Sequence, residues 1–284
     1  MGSLRYQGYT IRYDDYGEGS RALVLVHGLL LNRHMFDRIA PALAERGNRV
    51  VCIDLLGHGD SDQPDDLRLY SMPLFGRQVT AVLNHLELDT AVVGGTSLGA
   101  NVALDLAVRD PDRVEGLFME MPVLDNALAA VAAFFSPILL GLRAGRPAFE
   151  LGSRVARLIP RTHNLIDLGI DVARRRPGPS VAVLEGLLLG PTAPHREERI
   201  GISKPALIVG HQRDPLHPFS DSGMLAEELT GAQLVEAGSL LEWRLKPKRL
   251  TAELARFVDE VWEGAGNGAG VPDERGGPRV AMGG

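Results

Sequence analysis

Cysteine occurs once in the 284 residues, at Cys52, so no intrachain disulfide can form. Its place in the apolar run Val50-Val51-Cys52-Ile53 marks it as a small buried core residue. Long hydrophobic runs are also missing. None approaches the ~20 residues needed to cross a bilayer, and no membrane insertion is expected. Positive charge is not in excess: 30 Lys and Arg face 36 Asp and Glu, a net of −6, with the basic residues scattered. That excludes a nucleic-acid footprint. There is no His-Glu-x-x-His and no Cys–His ligand set, and Gly57 and Gly59 explain the Asp54–His58–Asp60 cluster as turn geometry. Neither a metal nor a cofactor is expected. Met1 to Tyr6 lacks the apolar core of a signal peptide, which sets a cytoplasmic expectation. Finally, no histidine occurs from Pro218 to Gly284.

What is present alternates. Tyr9 to Tyr13 reads as a short strand, and Ala22 to Val26 as an apolar run suited to the centre of a covered sheet. Helical spacing follows over 35–45, a strand over 50–54, a helix over 74–86, a strand over 91–95, a helix over 100–108 and a strand over 114–121. Strand–helix alternation predicts an α/β fold with a mostly parallel central sheet, whose active residues lie at the carboxyl ends of its strands. His27, Asp54, Ser97 and Glu120 all fall at such ends.

From Pro122 to about Ile200 the strand signals stop, and a proline-punctuated helical segment rich in Leu, Ala, Arg and Gly takes over. It is expected to be a helical cap over the sheet edge. Strand signals resume at 205–210 and 233–236, with helices at 221–229 and 250–262. The expected layout is a core of 1–121 and 201–263, a cap of 122–200 and a disordered Gly-rich tail of 264–284.

The organising stretch is Gly95-Thr96-Ser97-Leu98-Gly99, with an apolar run before it and a helical pattern after it. Glycines flank the serine because the turn is sharp. Ser97 would expose its hydroxyl at the positive end of the following helix. Downstream, Gly210-x-x-x-Asp214 closes another apolar run, and His217 follows three residues later.

With His27-Gly28, Asp54-x-x-Gly57-His58-Gly59-x-Ser61, Gly95-x-Ser97-x-Gly99 and Gly210-x-x-x-Asp214 in this order, the chain resembles the α/β-hydrolase fold family over about residues 5–262. The resemblance makes Ser97 the nucleophile and Asp214 the acid of a catalytic triad, with Glu120 an alternative acid. It assigns the oxyanion hole to the backbone N–H groups of Leu29 and Leu98. The family's base is a histidine in the loop after the last strand. Here that loop reads Gly238-Ser239, so either another group takes the proton or turnover is lost. His217 is either that base or a polar loop residue capping the next helix. His27 is expected to fix the oxyanion loop and His58 to brace a turn, while His34, His85, His163, His195 and His211 read as surface or cap residues. Glu236 and Glu242 could act as bases only if burial raised their pKa.

The expectation is a serine hydrolase of esterase, lipase or thioesterase type, acting on a small or medium apolar acyl substrate. The alternatives on the same fold are a ligand-binding homologue without turnover, or an isomerase or lyase. Oligomeric state is not legible.

Overall fold

The computed structural model describes residues 1–160, 164–239 and 242–268. The apolar runs become strands buried on both faces, because helices cover the sheet on each side. In β3 (Ala22–Val26) all five residues are buried. Ala22, Val24 and Val26 pack into one cluster, Leu23 and Leu25 into the other. β4 (Arg49–Asp54) and β5 (Ala91–Thr96) alternate in the same way. This period of two, apolar on both sides, is the signature of a covered parallel sheet.

The hairpin β1 (Gly2–Tyr6) and β2 (Tyr9–Tyr16) forms one edge, and β6 (Val114–Glu120), β7 (Ala206–His211) and β8 (Ala232–Ala237) complete the sheet. Its order is β1-β2-β4-β3-β5-β6-β7-β8, antiparallel among β1, β2 and β4 and parallel elsewhere. The helices are α1 (Ala40–Ala44), α2 (Met72–His85), α3 (Leu98–Arg109), α4 (Leu128–Ala144), α5 (Arg146–Ala156), α6 (Asn164–Arg174), α7 (Pro177–Leu188), α8 (Arg196–Ile200), α9 (Phe219–Glu228), α10 (Glu242–Leu245) and α11 (Lys248–Gly268). Residues of α2 and α3 belong to one core cluster, those of α1 and α11 to the other. Between β6 and β7 the described residues form α4 to α8 and no strand.

Register puts the functional strand ends level. Val26 pairs with Gly95, Thr96 with Glu120, Glu120 with Val209, and His211 with Ala237. The loops after β3, β5, β6 and β7 therefore emerge side by side, as expected at the carboxyl edge of such a sheet.

Three expectations shift. The helical spacing over 35–45 resolves into a 3-10 turn, Arg33–Phe36, and the five-residue α1. Pro41 occupies the first turn of α1 and cannot continue a helix from residues before it. Its apolar side chains still face one core cluster, so the periodicity was real although the helix is not continuous. α6 lies within the segment expected to be helical, at residues where the pattern marks no individual helix. The last helix runs on through Gly264 to Gly268, into the segment expected to be tail. The remainder of that tail, 269–284, lies outside the described residues.

Candidate active site

Ser97 sits between β5 and α3 at φ +53° and ψ −105°. A non-glycine residue at positive φ is strained and persists only where its surroundings hold it. The restraints are visible. Ser97 N–H donates to Glu120 O at 2.8 Å, and Asn101 N–H donates to Ser97 O at 3.0 Å. The flanking glycines answer to the neighbouring strand as much as to the turn. A Cβ at Gly95 or Gly99 would lie 1.9 or 2.0 Å from Val26 O. α3 thus starts hard against the end of β3, and Leu98, its first residue, has an N–H with no acceptor inside the helix. Leu29, in the loop after β3, lines the same cavity as Ser97 and Leu98.

His27 holds that loop. Its ring is fully buried, with Nδ1 2.9 Å from Gly28 O and Nε2 3.1 Å from Leu55 N. Those partners require the proton on Nδ1, and desolvation lowers its pKa to about 4, so it stays neutral. The buried His58 is held neutral likewise, with Nδ1 3.1 Å from Leu56 O.

The loop between β7 and α9 carries Asp214 and His217. Asp214 Oδ1 accepts the N–H groups of Leu216 at 2.8 Å and His217 at 3.0 Å, which folds the loop back on itself. That turn brings the ring over the carboxylate. His217 Nδ1 stands 2.8 Å from Asp214 Oδ2, and Nε2 stands 2.9 Å from Ser97 Oγ. Burial pushes the Asp214 carboxyl up. The hydrogen bonds from the His217 ring and from the backbone N–H groups outweigh this and hold it below the usual carboxylate range. With Asp214 ionised, Nδ1 carries the proton and Nε2 is free to accept from the serine hydroxyl. Acid, imidazole and hydroxyl lie in one line. Ser239, where a histidine was expected by resemblance, is exposed, and its carbonyl accepts from His211 Nδ1 at 3.1 Å.

Above Ser97 lies a cavity of about 50 Å³ walled by Met72, Val123, Val131, Phe135, Leu187 and Leu216. Asn101 ties its walls together. Its side chain donates to Val123 O and Thr192 O at 2.7 Å each and accepts from Val123 N at 3.0 Å. A larger cavity of about 480 Å³ shares Leu30 to Asn32 of the same loop and is edged by Arg157, Arg174, Arg175 and Arg176; neither Ser97 nor His217 lines it.

The profile of the alpha/beta hydrolase fold family matches residues 21–183. The chain belongs to that family. Among curated proteins, it is 30% identical over 265 residues to the pimeloyl-[acyl-carrier protein] methyl ester esterase of Aeromonas hydrophila, spanning 88% of this chain and 99% of that one. It is 27% identical to the AB hydrolase superfamily protein YisY of Bacillus subtilis, over 80% of this chain and 86% of the relative. Among solved structures, an enol-lactonase from Burkholderia xenovorans superposes with a TM-score of 0.74 at 21% identity, covering 91% of this chain and all of that one.

In this alpha/beta hydrolase fold Glu120, the alternative acid, faces elsewhere. Its carboxylate accepts from Thr96 Oγ1, and from Arg244 Nη2 at 3.0 Å, while His211 Nε2 stands 3.5 Å from Oε1. His211 is 1% exposed, not a surface residue, because it ends β7 inside the sheet. Sequence reasoning missed Arg244, which enters from α10 to pair with the acid at the end of β6. A carboxylate at the end of a buried strand was the available signal, since such a group needs a cation or a proton. Asp14, His34 and Asp37 bring ligand-type atoms within 4.8 Å of one another. However, Arg33 already pairs with Asp14, and His34 with Asp37.

Burial raises the Glu120 pKa, but Arg244, His211 and Thr96 outweigh it and set it at about 2, against an ordinary 4.5. A lowered folded-state value stabilises the fold above the unfolded pKa, and that stability is lost as pH falls toward 2. Arg244→Met should therefore cost about 2 kcal/mol at pH 7, with an acid-unfolding midpoint moved to higher pH. Circular dichroism of both proteins across pH 2–7 checks this: the gap should be widest above pH 4.5 and close toward pH 2. Parallel curves would show that Arg244 does not act through Glu120.

Proposed function

We propose that this chain is a serine hydrolase of carboxylic esters. Ser97 is the nucleophile, His217 the general base, Asp214 its orienting acid, and the Leu29 and Leu98 N–H groups the oxyanion donors. The single observation that carries the reading is the Asp214–His217–Ser97 line, at 2.8 and 2.9 Å. Kinship with a curated methyl ester esterase at 30% identity supports the ester class.

In the step so derived, Ser97 Oγ bonds to the carbonyl carbon as His217 Nε2 takes its proton. The carbonyl π pair moves onto oxygen, facing the Leu98 and Leu29 N–H groups. Collapse breaks the bond to the alcohol, which leaves with the proton from His217. Water then repeats the sequence on the acyl-serine and releases the acid. Nucleophile, proton acceptor and oxyanion donors all come from the chain. We read α4 to α8 as a cap, because Val131, Phe135 and Leu187 of that segment roof Ser97. Those apolar walls favour an apolar acyl group. A volume of about 50 Å³ holds only a few water-sized groups, so short acyl chains should be preferred unless the roof moves.

A fluorophosphonate probe on wild type and Ser97→Ala tests this, together with p-nitrophenyl esters of increasing acyl length. Stoichiometric labelling that vanishes in the variant, with hydrolysis fastest for short chains, is expected. A folded wild type that neither labels nor turns over any ester would favour a binding role instead.

A further inference from the structure

We propose that the outer face of α4 and α5 is a docking surface for an anionic lipid bilayer, on which the protein lies without spanning it. That the cavity behind this face takes an acyl group rests on the function proposed above; the docking does not.

In α4, Arg143 is the sole charged residue and Ser136 the sole other polar side chain, yet none of the 17 residues is buried. A helix apolar all round belongs inside a core or against lipid. Here one side supplies Val131 and Phe135 to the roof over Ser97. Away from that roof, Phe134 is 54% and Leu140 65% exposed. The chain then bends by 96° into α5, where Leu151 is 64% exposed, followed by Leu158 at 83%. Single exposed apolar side chains are ordinary, but a run of them along two joined helices marks an interaction surface. No single helix among the described residues is long and apolar enough to cross a membrane, and so sharp a bend suits a pair lying on a surface.

Charge selects the occupant. Residues 128–176 hold eight arginines, no lysine and three acids, a net of +5 within a chain of net −6. Several of these arginines are paired, as Arg143 is with Glu185 and Arg174 with Asp171. Arg154 and Arg176 are exposed and have no acidic partner among the described residues. Exposed apolar side chains in a segment that also carries unpaired arginines fit anionic headgroups. The same positive charge opposes an identical patch on a second copy of the chain.

The test is co-sedimentation of the full chain with phosphatidylcholine vesicles, with and without 30% phosphatidylglycerol. We expect at least tenfold stronger partitioning onto the anionic vesicles, weakened by 0.5 M salt. A triple variant, Leu140→Ser, Leu151→Ser and Leu158→Ser, should lose most of this binding, as should Arg154→Glu with Arg176→Glu. All these positions are exposed, and an unchanged circular dichroism spectrum keeps the comparison valid. Ser97→Ala should bind like wild type, so docking is read without turnover. Failure to sediment, or equal sedimentation of the variants, overturns the proposal. So does a dimer in light scattering that the triple variant abolishes, which would assign the face to a second copy.

Discussion

His217→Ala should lower kcat for a p-nitrophenyl ester by about four orders of magnitude or more, with KM changed only a few-fold. The ring touches the serine hydroxyl and the acid, and among the described residues it makes no other side-chain hydrogen bond. Removing it leaves Ser97 a neutral hydroxyl without its proposed proton acceptor, while the apolar cavity proposed to take the acyl group keeps most of its walls. A loss confined to kcat marks an interaction made in the transition state. The same experiment should include Ser239→His, which places an imidazole where family members carry one. In the wild-type background the place facing Ser97 Oγ is filled by His217, and Ser239 is exposed, so little change is expected. In the His217→Ala background activity should stay at the level of the single variant, because Asp214 is committed through Oδ1 to its own loop. Steady-state kinetics of the four proteins decides it. Full activity in His217→Ala would remove His217 from the mechanism and return the search to other groups.

How much of this was legible without coordinates differs from residue to residue. The elbow could be read because its requirements are local: an apolar strand, a serine between glycines, a helical pattern. What the sequence could not show is that Gly95 and Gly99 are demanded by Val26 O, a contact between segments about seventy residues apart. His217 stood beside Asp214 in the chain, yet two roles were open for it. Its direction depends on two backbone N–H groups turning onto Asp214 Oδ1 and on the register that levels β5 with β7, neither of which leaves a periodic trace. His211 was read as a surface or cap residue because a polar side chain at a strand end usually is. It is inside because Glu120 and Arg244, from two other elements, make a polar place for it. α6 escaped because arginines and prolines bracket a short apolar pattern, and it is held by packing against the preceding helix α5.

The least legible residue carries the second large effect. Arg33→Met should cost about 3–5 kcal/mol of folding stability, a fall of about 10 °C in melting temperature for a chain of this size. Arg33 lies just ahead of the helical spacing over 35–45, where no pattern marks it, and its side chain is fully buried. Its guanidinium pairs with Asp54 through Nη1, with Asp60 at 2.9 Å and with Asp14 at 2.8 Å, acids drawn from β2 and from the end of β4 with its following turn. Its own N–H donates to Asp54 Oδ1 at 2.7 Å, and Asp54 Oδ2 accepts from Asp60 N at 2.9 Å. A methionine fills much of the volume but leaves Asp54, fully buried at the end of β4, without its cation. An uncompensated buried carboxylate is far costlier than the pair is favourable, so most of the loss belongs to Asp54 rather than to the missing contact. It follows that Arg33→Met with Asp54→Asn should recover part of the stability lost by Arg33→Met alone, since the charge is gone although one of the two backbone N–H groups then faces the amide NH2, a coupling that additive effects would not give. The two backbone N–H donors to Asp54 also join the loop after β3 to the turn after β4, so displacement of the unpaired Asp54 carboxylate should lower ester turnover in the single variant even at temperatures where it stays folded. Thermal melts of the wild type, both single variants and the double variant, with turnover measured at 20 °C, test both parts. A double variant no more stable than Arg33→Met would mean that the guanidinium acts by filling space, and not by neutralising Asp54.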